Sequence, residues 1–103
     1  MTEKANFAIT EEAIPGGIKL TVVGRIDSVN AVKLGDKFDQ AIQGGHINII
    51  LDMPQVDYLC SMGVRVILKA YKDAKKAGGK FKIEGRPNAA RVLGMAGLNE
   101  LLP

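Results

Sequence analysis

Three glycine doublets, Gly16-Gly17, Gly44-Gly45 and Gly78-Gly79, cut the sequence into stretches of different hydrophobic period. Glycine pairs interrupt regular structure because glycine loses the most entropy on ordering and opens left-handed backbone conformations. Before the first doublet, Phe7 and Ile9 alternate with smaller or polar neighbours, so Asn6 to Ala13 is predicted as a strand. Pro15-Gly16-Gly17 is a turn signal. Behind it Ile18, Leu20, Val22 and Val23, bounded by Gly24, make a second strand joined to the first as a hairpin. Asp27 and Ser28 are both good N-cap residues. Ala31, Leu34, Phe38 and Ala41/Ile42 follow at helical spacing until Gly44-Gly45 stops the helix.

From His46 to Leu51 the chain is nearly continuously apolar, which predicts a central strand buried on both faces and ended by Asp52-Met53-Pro54. A loop through 55–59 leads to a second helix carrying Val64, Ile67/Leu68, Tyr71 and Ala74, closed by Gly78-Gly79. Phe81 and Ile83, alternating with lysines, form another strand closed by Gly85. Pro87 opens a third helix through Ala90, Val92 and Leu93, and Leu98 to Leu102 adds a last helical turn. The order β-β-α-β-α-β-α-α predicts an α/β fold in a single layered domain over 1–103. Its sheet is mostly parallel, of about four to five strands, with an antiparallel N-terminal edge strand and helices packed on it. At 103 residues such a domain needs no disulfide or metal to build its core.

The net charge of +3 suggests nucleic acid only weakly. Its densest run, from Lys69 to Lys82, is interleaved with apolar and acidic residues, and no nucleic-acid motif or set of stacking aromatics accompanies it. A solvated helix face is the reading adopted, with no direct nucleic-acid contact. The single cysteine, Cys60, forms no internal disulfide. Met1 to Thr10 has no apolar signal core, and no apolar run reaches the roughly 18 residues of a membrane span, so a cytoplasmic protein without membrane insertion is expected.

Two side chains invite chemistry. Ser61 sits where a loop meets the second helix, and the unpaired N–H groups and dipole there favour a phosphate; serine is also a preferred N-cap. Cys60 is either a thiol made reactive by the same helix end or a small hydrophobe. Neither has a base. The only histidine, His46, starts the central strand, whereas catalytic loops of parallel sheets gather at the strands' carboxyl ends. One histidine and one cysteine make no metal-ligand set. The expectation is no enzyme, no metal and no cofactor. Asp27 is expected to cap its helix, and Asp52 to lie at the same sheet end.

Several pieces fall in a telling order: Gly24-Arg25-Ile26-Asp27, Ile49-Ile50-Leu51-Asp52, the segment Val56 to Val64, Gly78-Gly79, Val92-Leu93 and Gly97-Leu98. Together they resemble the STAS domain, the sulphate-transporter and anti-sigma-factor-antagonist family, through nearly the whole chain. The family signature Asp-Ser-Ser-Gly-Leu/Val falls on Cys60-Ser61-Met62-Gly63-Val64. The resemblance implies a stand-alone anti-sigma factor antagonist, a non-enzymatic protein-binding regulator whose partner is an anti-sigma factor/serine kinase with an ATP-binding fold. It implies Ser61 as the phosphorylated residue, and Asp27, Cys60, Ser61, Met62, Gly63 and Val64 as partner-binding. The nucleotide belongs to the partner. Cys60 departs from the pattern, since phospho-regulated members commonly carry Asp before the serine. The alternative is therefore a STAS adaptor that docks on a transporter ATPase or another signalling complex without phosphorylation. Oligomeric state stays open between monomer and weak dimer.

Overall fold

The hairpin predicted around Pro15-Gly16-Gly17 is present: β1 (Ala8–Ile14) pairs antiparallel with β2 (Gly17–Ile26). Gly16 turns the chain at φ 73°, a left-handed conformation open to glycine. The computed structural model describes residues 7–86 and residue 98. After β2 come α1 (Ser28–Gln43), β3 (Asn48–Leu59), α2 (Ser61–Lys76) and β4 (Lys80–Glu84). The expected third helix and final turn lie outside the described residues, apart from Leu98, which is helical and fully buried.

The sheet order is β1-β2-β3-β4, with β2, β3 and β4 parallel. Both crossovers therefore step the same way across the sheet, and right-handed connections place both helices on one face. This corrects the expectation of a central strand buried on both sides. Ile49, Leu51 and Met53 of β3 point into the core with Leu20 and Val22 of β2. The alternate residues Lys19, Thr21, Ile50 and Asp52 are half-buried on the opposite face of the sheet. There Lys19 Nζ lies 3.9 Å from Asp52 and 3.6 Å from Glu84. Solvated pairs of this kind contribute at most about 1 kcal/mol.

β3 also runs further than predicted, through the expected loop to Leu59. Its register against β2 passes from Thr21↔Asp52 to Val23↔Gln55, and from Gly24↔Val56 to Arg25↔Tyr58. Each interval holds one residue more on β3, so the strand bulges twice. Pro54 is tolerated because pairing with β4 ends at Asp52 and no N–H is needed on that side. Asp52 consequently sits mid-strand, not at the sheet end where it was expected.

At the other edge, where the parallel strands begin, backbones approach closely. A Cβ on Gly17 would lie 1.8 Å from the Asn48 carbonyl oxygen, and one on Gly79 would lie 1.9 Å from that of Ile47. Asn48 ties this edge together. Its Nδ2 donates to the Gly16 carbonyl at 3.1 Å, and its Oδ1 accepts from the Lys80 amide at 3.1 Å. The core between sheet and helices is aliphatic around Phe38, whose ring meets Phe81 edge-on at 5.8 Å.

Candidate functional site

β2 and β3 end level with each other, Ile26 opposite Leu59, and the Cys60 amide donates to the Ile26 carbonyl at 3.0 Å. The chain leaves both strands at once into α1 and α2, so two helix N-termini open side by side at the carboxyl edge of the sheet. Asp27 caps α1: its carboxylate accepts from the Asn30 amide at 2.9 Å, while Asn30 Nδ2 donates to the Arg25 carbonyl at 2.8 Å. Replacing Asp27 with alanine is expected to cost about 1 kcal/mol, since the amide loses its partner at a half-buried helix end. Thermal unfolding should show this as a drop of about 4–8 °C. An unchanged midpoint would remove the capping role.

The second cap differs from the serine that the sequence offered. Cys60 is the N-cap of α2, its Sγ accepting from the Gly63 amide at 3.4 Å, and Val64 N donates to the Cys60 carbonyl at 3.1 Å. Ser61 is thereby moved into the first helical turn. It is exposed, and among the described residues its hydroxyl has no hydrogen-bond partner. No acidic residue stands in the first turn of either helix.

Gly63 is buried, and a Cβ there would come within 2.6 Å of Leu59 Cδ1 and 2.9 Å of Ile26 Cγ2. Its lack of a side chain lets the start of α2 rest on the ends of β2 and β3. Val64 and Cys60 are half-buried against the core. The six residues singled out from the sequence thus divide by role. Asp27, Cys60, Gly63 and Val64 build the corner, and only Ser61 and Met62 are presented outward.

Two residues that sequence reasoning passed over join them. Val29 is 63% exposed and Val32 52%, against 38% for Met62, and these are the exposed large apolar side chains among the described residues. The signal was available, because both valines fall off the Ala31-Leu34-Phe38-Ala41 stripe that faces the sheet. Val32 and Met62 flank the upper end of a groove of about 370 Å³ between α1 and α2, floored by Phe38, Val66 and Ala70. Below the helices' starts, the Arg25 guanidinium lies 4.0 Å over the Tyr58 ring. Further along the groove, Lys69 Nζ bridges the helices, 2.8 Å from Asp73 and 3.5 Å from Asp39. The hydrogen bond to Asp73, then the charge of Asp39, raises the Lys69 pKa above the ordinary lysine value.

His46 is exposed ahead of β3, at the opposite sheet edge from Cys60 and Ser61. Among the described residues no cluster of three or more His, Cys, Asp or Glu could hold a metal ion, and no helix is long and apolar enough to cross a membrane.

The model of the STAS domain matches residues 8–103 of the chain. The anti-sigma F factor antagonist of Paenibacillus polymyxa is 28% identical over 100 residues, covering 95% of this chain and 86% of that protein. A solved anti-sigma factor antagonist from Mycobacterium paratuberculosis superposes with a TM-score of 0.72 at 21% identity, covering 95% of this chain and 84% of that one. The antagonist SpoIIAA in its unphosphorylated form superposes with a TM-score of 0.70 at 18% identity, covering 93% of this chain and 84% of that one. The phosphorylated form of the Bacillus cell fate determinant SpoIIAA gives 0.67 at 19% identity, with 93% and 89% covered. At these identities the structural likenesses establish the fold.

Proposed function

The chain belongs to the STAS domain family, and from that membership we propose that it acts by binding, as an anti-sigma factor antagonist. In this reading it docks on an anti-sigma factor that is also a serine kinase, and is released when that partner phosphorylates Ser61. The observation that carries the proposal is the state of Ser61. Its hydroxyl is exposed and unengaged at the start of α2 because Cys60 has taken over the capping. A hydroxyl spent on an N-cap would have to leave the backbone before it could accept a phosphoryl group; this one does not.

Docking would use the outward residues Ser61 and Met62 together with Val29 and Val32, on the corner built by Asp27, Cys60, Gly63 and Val64. The partner supplies ATP and the base that takes the Ser61 proton, so this chain needs no cofactor and no catalytic group. A phosphate on Ser61 would add roughly −1.5 to −2 charges at the end of a helix, whose N–H groups and dipole tolerate it. The same charge next to Met62 and the two valines would break an apolar contact with the partner through its desolvation cost. Cys60, in place of the family's Asp, puts no negative charge beside that phosphate.

The test is a pull-down from native extract, followed by incubation of the recovered partner with this protein and Mg-ATP and intact-mass analysis. The expected result is an added phosphate that Ser61→Ala lacks, and a partner affinity reduced about tenfold or more in Ser61→Asp. Recovery of a transporter ATPase, with no added mass, would overturn the switch and leave the adaptor alternative.

A further inference from the structure

The groove between α1 and α2 has two walls of opposite character, and the levels of the two walls are matched. A Cβ on Gly35 would sit 3.4 Å from Val66 Cγ1, and Lys69 reaches Asp39. The helices therefore run parallel, and Val32 comes level with Met62, Asp36 with the turn from Arg65 to Val66, and Asp39 with Lys69. On α1, Val32, Asp36 and Asp39 recur at helical spacing as one stripe; on α2, Met62, Arg65 and Lys69 do the same. Each wall is apolar at its upper end. Below that, the α1 wall is acidic and the α2 wall is basic. Asp36 and Arg65 are both exposed and make no ion pair among the described residues.

We propose that this face is a homodimer interface, in which two copies pair about a two-fold axis lying along the groove. A half-turn about that axis lays the α2 wall of the second copy on the α1 wall of the first, and the reverse. Val32 then meets Met62 of the second copy, Asp36 meets its Arg65, and Asp39 meets its Lys69, each contact occurring twice as an isologous interface requires. The alternative axis, across the groove, would set Asp36 and Asp39 against the same residues of the other copy and Arg65 and Lys69 likewise, which like charges oppose. The charge pattern thus selects one of the two symmetric arrangements. An amphipathic helix of another protein would also find an apolar floor here. Within one chain Lys69 already joins Asp39 across the groove, whereas among the described residues Asp36 and Arg65 stay unpaired, and a second copy placed this way gives each of them a partner.

Solvated ion pairs contribute little to affinity, so the valine and methionine contacts drive the association and the charges set its orientation. The four helix N-termini share one end of the dimer, a repulsion confined to the first turn and screened by salt. A weak, concentration-dependent dimer follows. The same face carries Met62, one residue from Ser61, so the dimer competes with the docked complex. That consequence rests on the docking reading, whereas the dimer itself does not.

The test is sedimentation velocity on the full chain from micromolar to millimolar concentration, with no partner present, so its outcome is separate from that of the docking experiment. Wild type is expected to dimerise reversibly. Asp36→Arg and Arg65→Asp alone should each weaken self-association about tenfold or more, because each puts like charges across the interface. An equal mixture of the two variants should recover it to within about threefold, since each heterodimer contact is again an opposite pair. Circular dichroism of each variant confirms the fold. A wild type that stays monomeric at millimolar concentration overturns the proposal, and so does a dimer whose mixture of variants fails to recover.

Discussion

Exchanging Gly79 for alanine is expected to remove about 3 kcal/mol of folding stability, an unusually large loss for a single methyl group. The methyl would lie 1.9 Å from the Ile47 carbonyl oxygen and 2.5 Å from its carbon. Both are backbone atoms, so no rotamer change relieves the overlap, and β4 must move away from β3. That movement breaks the bonds from the Lys80 amide to the Ile47 carbonyl and to Asn48 Oδ1, both 3.1 Å long. The neighbouring doublet residue supplies the comparison. Gly78 adopts φ 89° and a Cβ there meets nothing within 4 Å, so Gly78→Ala should cost only about 1–2 kcal/mol of backbone strain. Urea unfolding of both variants decides the matter. If Gly79→Ala is no less stable than Gly78→Ala, the close approach of β3 and β4 is not what this doublet serves.

The second large effect belongs to Phe38. It is 1% exposed, the largest of the fully buried side chains, and it packs between α1, the sheet and the Phe81 ring. Truncation to alanine should cost about 3–5 kcal/mol, the lost transfer energy plus the cavity left in the core. Typical domain stabilities are only about 5–15 kcal/mol, so this variant stands near the edge of folding. The expected signature is a much lower urea midpoint with an unchanged slope. A loss below about 1.5 kcal/mol would mean that α1 and α2 close over the gap.

Most of the architecture was legible before the structure was known, because turns and helix ends carry their own chemistry. The Pro15-Gly16-Gly17 hairpin and the Asp27 cap are where local residues dictate them, and the two helices end at Gln43 and Lys76, just ahead of Gly44-Gly45 and Gly78-Gly79. What escaped was decided at long range. The apolar run around Ile49, Ile50 and Leu51 fits a strand buried on one face or on two. Only the direction of both crossovers, which sequence periodicity does not carry, leaves Ile50 half-exposed. The extension of β3 was hidden by Pro54, normally a strand breaker, which is accommodated because β4 is too short to need its missing N–H. At the site, Ser61 was the better N-cap by residue type and Cys60 the worse. The geometry of the β3 end nevertheless fixes which residue has extended backbone angles, and that residue is Cys60 at φ −81° and ψ 170°. Val29 and Val32 were passed over because they lie outside the stripe that predicts the core, and that position is what makes them surface features.

The sheet order β1-β2-β3-β4 has a consequence for biosynthesis. Each strand pairs with the one made just before it, so a chain emerging from the ribosome always finds its next template already exposed. No strand has to be inserted between two that are already joined, a step that would require a formed ladder to reopen. The hairpin closes first with contacts of short sequence separation, and each parallel strand then waits only for its own crossover helix. The vulnerable interval is the one after β3 has docked and before β4 is made. Then the apolar edge from Ile49 to Leu51 is the open border of a growing sheet, and a nascent chain held there is the species most exposed to edge-to-edge association.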